Sequence, residues 1–315
     1  MKSIVLIFPY FGKFPPQFKM WEASALCNSN IDFLIFTDND IDSVNNIKVI
    51  KCSFIKFSKI IQQAFDFPIE LDRPYKLCDY KPAYGYALQD YIKQYDFWGF
   101  GDMDLVYGNI RNFLTDEVLN KYRMFLGWGH LSIYKNDYET NTFFMQKLDG
   151  YQSYKDVYTT KKITFFDEYM HLGTADKWKD TRPSDCWLEE PFDNVSKPKQ
   201  SFHFNSLNRQ WKNVIFEHIN NGLYMIKYSN GEIIKKESLY AHFQHRPFMK
   251  DKVSNNYSHF LITPTSIINY PKEYLCKLVI KYYCRNRYLT TLYYQWKDRI
   301  IYRFKRIIKT TNKFH

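Results

Sequence analysis

Four short apolar runs, separated by helical stretches, constrain this chain more than any other feature. Residues 3–8 (SIVLIF), 31–36 (IDFLIF), 47–52 (IKVIKC) and 97–100 (FWGF) are dominated by Ile, Val, Leu and aromatic residues. Runs of this kind are too short for helices and read as strands buried on both faces. Residues 14–28, 57–65 and 82–95 between them have helical character, and the last opens on Lys81-Pro82, where proline suits a first turn. Strands alternating with helices at this spacing predict an α/β fold with a mostly parallel sheet flanked by helices. Ligands of such sheets bind beyond the carboxyl ends of the strands. The loops at residues 9–12, 37–40 and 101–104 are polar and should converge there.

The third of these loops carries the chemistry. Phe100-Gly101 leads into Asp102-Met103-Asp104. Two aspartates one residue apart on an extended segment point to the same side. Holding like charges together is costly unless a cation compensates. Hard divalent ions such as Mg²⁺ or Mn²⁺ favour carboxylate and diphosphate oxygens.

With Thr37-Asp38 after the second strand, Asp102-Met103-Asp104 resembles the pattern of GT-A (Rossmann-like) glycosyltransferases. The segments Asp79-Tyr80-Lys81-Pro82-Ala83-Tyr84-Gly85, 100–108 and 127–136 are similar to those of bacterial glycosyltransferase-like proteins from capsule and O-antigen clusters. This resemblance implies a nucleoside-diphosphate sugar donor, UDP-linked by preference, and a Mn²⁺ or Mg²⁺ ion. It implies metal roles for Asp102 and Asp104. It also implies donor contacts for Pro9, Tyr10, Phe11, Asp38 and Met103.

Later in the chain, Ala241-His242-Phe243-Gln244-His245-Arg246-Pro247-Phe248 resembles a late histidine followed by a basic-Pro-Trp element in retaining GT-A enzymes, with shorter spacing and Phe in place of Trp. By that likeness His242, ahead of His245, is a third metal ligand, and Arg246 neutralises the departing diphosphate. Residues 164–172 hold Asp167-Glu168, either of which can take a proton from an acceptor hydroxyl or bind sugar hydroxyls. The same pair would also suit a helix N-terminus. Lys81 can face phosphate, and Trp128 and His130, in a segment loosened by Gly127 and Gly129, can form an acceptor platform. The late His/Arg-Pro likeness leans towards retention of configuration, whereas a base at Asp167 or Glu168 means inversion.

Charge divides the chain. Lys and Arg exceed Asp and Glu by 44 − 33 = 11, and residues 271–315 alone hold twelve basic and two acidic residues, a net +10. Leu289, Tyr293, Trp296, Ile300, Phe304 and Ile307 recur at helical spacing among these charges. Domains are therefore expected at residues 1–262 (transferase) and 263–315, basic amphipathic C-terminal helices for an anionic membrane surface. The alternative is a helix packed on the domain. Nucleic acid is not expected as a partner, since no binding motif accompanies the charge. Six scattered cysteines without a CxxC pair, a weak N-terminal apolar run and no long apolar stretch predict a cytoplasmic protein, and the basic tail would hold it peripherally at the inner face of the membrane. The resemblance to capsule and O-antigen proteins implies a lipid-linked glycan as the acceptor. Two other readings share parts of this pattern. A nucleotidyltransferase needs a glycine-rich basic loop after its first strand, and residues 9–13 offer one glycine and one lysine. A non-catalytic glycan-binding protein would not need both Asp102 and Asp104.

Overall fold

The computed structural model describes residues 1–16, 18–196, 202–204, 211–219, 221–244, 250–253 and 257–285, with positions 293, 296, 297 and 300 of the tail. The chain divides into two compact units, Met1–Pro191 and Phe192–His315.

The first unit is built on a seven-stranded sheet. Its strands are β1 (Ile4–Tyr10), β2 (Asp32–Thr37), β3 (Ile47–Lys51) and β4 (Phe97–Gly101). After a short β5 (Leu105–Tyr107) come β6 (Met124–Trp128), β7 (Leu131–Lys135) and β8 (Cys186–Trp187). The sheet order is β3-β2-β1-β4-β7-β6-β8. The first four strands run parallel, β7 runs antiparallel to β4 and β6, and β8 is parallel to β6. This is the mostly parallel, helix-flanked α/β plan expected from the alternation of apolar runs. In the register β1 faces β2 from Val5↔Asp32 to Tyr10↔Thr37, so their carboxyl ends lie side by side.

The sheet is sealed by aromatic packing. Trp21 from the helix Phe18–Leu26 lies edge-on to Phe8 and Phe33, at 4.9 and 5.6 Å between ring centroids. On the other face Phe57 meets Phe36 at 4.9 Å, and Trp98 stacks on Tyr134 at 5.0 Å. Fully burying a large apolar side chain stabilises by about 1.5–3 kcal/mol, so these rings contribute much of the unit's stability. The stretch expected as one helix over 82–95 is instead a chain of single turns, including Tyr84–Ala87 and Gln89–Ile92. Tyr84, Leu88 and Ile92 still face the core. Leu88, at φ −113° and ψ 24°, leaves helical geometry, and a Cβ on Gly85 would stand 2.2 Å from the Trp98 indole. Close packing on Trp98 thus overrides the local helical preference. Further along, one short helix, Tyr138–Thr142, runs into a 3₁₀ turn, Phe143–Met145.

In the second unit, β9 (Asp193–Ser196) lies between β10 (His203–Phe204) and β14 (Tyr240–Phe243). A six-stranded sheet contains β11 (Val214–Ile219), β12 (Gly222–Ser229), β13 (Glu232–Ser238), β15 (Lys250–Lys252), β16 (His259–Ile262) and β17 (Ser266–Asn269). A hairpin at Asn230-Gly231 joins β12 to β13, with Ser229 opposite Glu232 and both turn residues at positive φ. That geometry matches the right-handed twist of the strands. The helix Glu273–Tyr283 packs Ile280, with Cys284 just beyond it, against Ile215, Ile226 and Leu261. Among the described residues no helix is long and apolar enough to cross a membrane. Arg246 and His245 lie outside the described residues, as does most of the chain beyond 285.

Candidate active site

The site is assembled in the first unit at the carboxyl ends of β1, β2 and β4. Asp38 accepts a hydrogen bond from Gly12 N at 2.9 Å, and Asn39 Nδ2 donates to Gly12 O at 2.7 Å and to Thr37 Oγ1 at 2.8 Å. The loops after β1 and β2 are thereby tied together. Tyr10 and Pro9 are half-buried at this edge, but Phe11 is a core residue, packed against Phe54 and Phe57. Any contact from Phe11 to a ligand is left to its backbone.

Asp102 and Asp104 differ from expectation in their backbone. Strand β4 ends at Gly101, and Met103-Asp104 form a turn before β5. The buried Met103 side chain pins this turn, with both carboxylates half-buried to either side. Each offers an oxygen within 4.8 Å of the other's. The negative charge of Asp104 adds to burial in raising the pKa of Tyr10, so the end of β1 and this turn share one electrostatic environment.

Lys81 is the hub. Its Nζ donates to Asp102 Oδ1 at 2.9 Å and to Gly129 O at 2.8 Å, and stands 3.0 Å from Asp167 Oδ2. Its side chain is 13% exposed and that of Asp167 1%, so the ion pair with Asp167 is nearly dry. Burial works to lower the Lys81 pKa, but the charges of Asp102 and Asp167 outweigh it and hold the ammonium well above its ordinary value. Burial pushes the Asp167 carboxyl up to about 7, with Lys81 opposing and Glu168 adding.

Asp167 and Glu168 are not at a helix N-terminus. They lie in a run of turns in which Phe165, Met170 and Leu172 all have φ between 56° and 68°. Positive φ in such residues is costly unless the surroundings fix it. Two buried aspartates do so. Asp79 accepts hydrogen bonds from Thr164 N at 3.0 Å and Phe166 N at 3.0 Å, and Asp176 accepts from Met170 N at 3.0 Å and His171 N at 3.1 Å. Asp79 is itself paired at 2.7 Å with Lys76, and both side chains are fully buried. Lys76 also donates to Val157 O and Lys162 O. Cys78, Asp79 and Asp167 also cluster within 4.8 Å, but Asp79 is occupied by these donors and belongs to the scaffold.

The turn between β6 and β7 closes the site. Asp102 N donates to His130 O at 3.0 Å, and the Trp128 and His130 rings stack at 5.7 Å. His130 is buried, so Trp128 is the more accessible of the two rings. A Cβ on Gly129 would fall 2.4 Å from the Glu168 carboxyl carbon, so the end of the Glu168 side chain lies directly against this turn and would have to shift for any larger residue. In the second unit His242 is buried on β14.

Lys76, Tyr169 and Lys179 shape this region without having been singled out, and Asp79 and Gly129 were named only as parts of longer segments. The Lys76/Asp79 spacing (i, i+3) was visible, but it reads equally as a solvated surface pair. Asp102 and Asp104 fit a hard divalent ion. They are oxygen donors close enough to share one cation, with the Lys81 ammonium beside them for an accompanying phosphate.

The sequence model of a family of unknown function (DUF6625) matches residues 6–271. No curated protein sequence matches. Among solved structures, the chain is similar to mouse xyloside xylosyltransferase 1 in its apo form, at 11% identity over 62% of this chain and 88% of that one, with a TM-score of 0.36. It is also similar to the apo-form glycosyltransferase GlyE of Streptococcus pneumoniae TIGR4, at 13% identity over 45% of this chain, with a TM-score of 0.25. In that comparison it spans about a third (34%) of the GlyE chain.

Proposed function

The chain belongs to the family of unknown function DUF6625, and from that premise and the site geometry we propose that it is a metal-dependent glycosyltransferase. It would move a sugar from a nucleoside-diphosphate donor, by preference a UDP-hexose, to an acceptor hydroxyl. One observation carries the reading. A carboxylate pair stands at the carboxyl end of a central parallel strand, with Lys81 bridging Asp102 to the buried Asp167. In a sheet of this order that end is where ligands bind.

Asp102 and Asp104 would hold Mn²⁺ or Mg²⁺, with His242 as a third ligand in line with the resemblance. The ion would supply charge neutralisation for the diphosphate. Pro9, Tyr10, the Phe11 backbone, Asp38 and Met103 would border the nucleotide, and Arg246 would join Lys81 in neutralising the leaving group. Lys81 is positioned for this because its ammonium, nearly dry on the Asp167 side, reaches the more open Asp102 carboxylate, and charge in such a part-dry site is worth more than in water. Asp167, or Glu168 beside it, would receive the proton of the acceptor hydroxyl, with Trp128 and His130 lining the acceptor side. The direct test is release of UDP from a panel of UDP-hexoses with Mn²⁺, with and without chelator. Chelator-insensitive release, or none with any nucleotide sugar, would contradict the reading.

If Asp167 is the base, kcat/KM rises with pH through about 7 and then levels, because only the ionised carboxylate accepts a proton. Asp167→Asn should remove that limb, and an unchanged profile would exclude the role. The raised pKa also means that the folded unit binds this proton more tightly than the unfolded chain. The contribution of Asp167 to stability is therefore fully present below about 4, the unfolded value, and is lost as pH rises towards about 7.

The acceptor we propose is a lipid-linked glycan of bacterial surface polysaccharide, met by a cytoplasmic enzyme at the inner membrane face through residues 263–315. The net charge of +10 over residues 271–315 supports this. Deleting residues 286–315 should leave the folded chain unable to co-sediment with anionic vesicles. Binding by the full chain should weaken with salt, as charges are screened beyond about 10 Å at 0.1 M. Co-sedimentation of the shortened chain would place the attachment elsewhere.

A further inference from the structure

The two loops that build the site also meet in an aromatic corner. Trp128, at the start of the β6–β7 turn, lies 5.4 Å from Tyr169, edge to face at 76°. Lys179, on the helix Thr174–Thr181, places its Nζ 3.6 Å from the centre of the Tyr169 ring and 5.1 Å from that of Trp128. Among the described residues Lys179 has no hydrogen-bond or ion-pair partner. Asp176, Glu190 and Asp180 act on it only from a distance, and burial outweighs them in lowering its pKa. The ammonium has therefore lost part of its hydration, and two ring faces replace it without accepting its hydrogen bonds in full. The corner borders the reacting groups on both sides. Gly129, next to Trp128, accepts from Lys81, and Tyr169 follows the Asp167-Glu168 pair.

Resting on the glycosyltransferase reading, we propose that Trp128, Tyr169 and Lys179 form a subsite for a sugar that carries an anionic substituent, the carboxylate of a hexuronic acid or a phosphate ester. The apolar face of a sugar ring packs on an aromatic side chain. An anion on its edge meets the Lys179 ammonium, completing the hydrogen bonds that the rings leave unmade. A neutral sugar gains the ring contact alone.

The test is a ligand-observed NMR titration of the full chain with methyl glucuronide, glucose 6-phosphate and methyl glucoside. At least one anionic ligand should bind about tenfold more tightly than the glucoside, as a charge-assisted hydrogen bond in a part-dry site allows; which one does so identifies the anion. Lys179→Met should bring the preference close to parity while leaving glucoside affinity unchanged, and Lys179→Arg should retain it. Equal affinities in the unmodified chain, binding of none of the three, or a preference that survives Lys179→Met would overturn the proposal. Mn²⁺-dependent UDP binding, measured on the same samples, separates this failure from failure of the glycosyltransferase reading.

Discussion

Asp79→Ala is expected to destabilise the first unit by about 3–5 kcal/mol, the usual cost of leaving a buried charge without its partner. Lys76 would keep two carbonyl acceptors but lose the only carboxylate it touches among the described residues. Thr164 N and Phe166 N would lose their acceptor at the same time. Each orphaned buried donor adds its own desolvation penalty, about 1–3 kcal/mol. For a unit of this size the melting temperature should fall by roughly 10 °C. The segment these bonds fix holds Asp167 against Lys81, so transfer should fail even below the new melting point. Asp79→Asn, which keeps an acceptor for the backbone but removes the charge, should lie between the two. Adding Lys76→Met to it should recover stability, since the two positions are coupled. Scanning calorimetry of the three variants checks this, and a change in melting temperature within 2 °C or so for Asp79→Ala would show that the pair is dispensable.

The second large effect falls on activity and spares the fold. Asp104→Ala should reduce transfer by about three orders of magnitude, the scale for losing a group that stabilises charge developing in a reaction. Asp104 is only part-buried, at the edge of the sheet and outside the apolar core, so its removal should lower the melting temperature far less than Asp79→Ala does. That contrast with Asp79→Ala distinguishes a residue that holds a ligand from one that holds the chain. Turnover of Asp104→Ala close to that of the unmodified protein, at equal stability, would remove Asp104 from the reaction.

The parts of this molecule that were legible in the sequence are those governed by local pattern. The runs at residues 3–8 and 31–36 became Ile4–Tyr10 and Asp32–Thr37, because a strand buried on both faces has to be apolar throughout. Asp102 and Asp104 were visible because their spacing and their place after such a run are local. What could not be read depends on contacts between distant segments. Nothing near Lys81 announces that Asp167 will stand 3.0 Å from it, or that Asp79 will hold Thr164 and Phe166 in place. The stretch over 82–95, opening on Lys81-Pro82, read as one helix, and packing of Gly85 against Trp98 broke it. Four-residue strands such as Asp193–Ser196 carry too little periodicity to be told from loop, and pairing with β10 and β14 is what makes them strands.

Calorimetric titration of the full chain with UDP, in the presence of Mn²⁺ and again after its removal by chelator, tests the central claim most directly. Stoichiometric nucleotide binding that requires the ion, and that Asp104→Ala abolishes, is the predicted result. Binding that is indifferent to the ion, or no nucleotide binding with Mn²⁺ present, would contradict it.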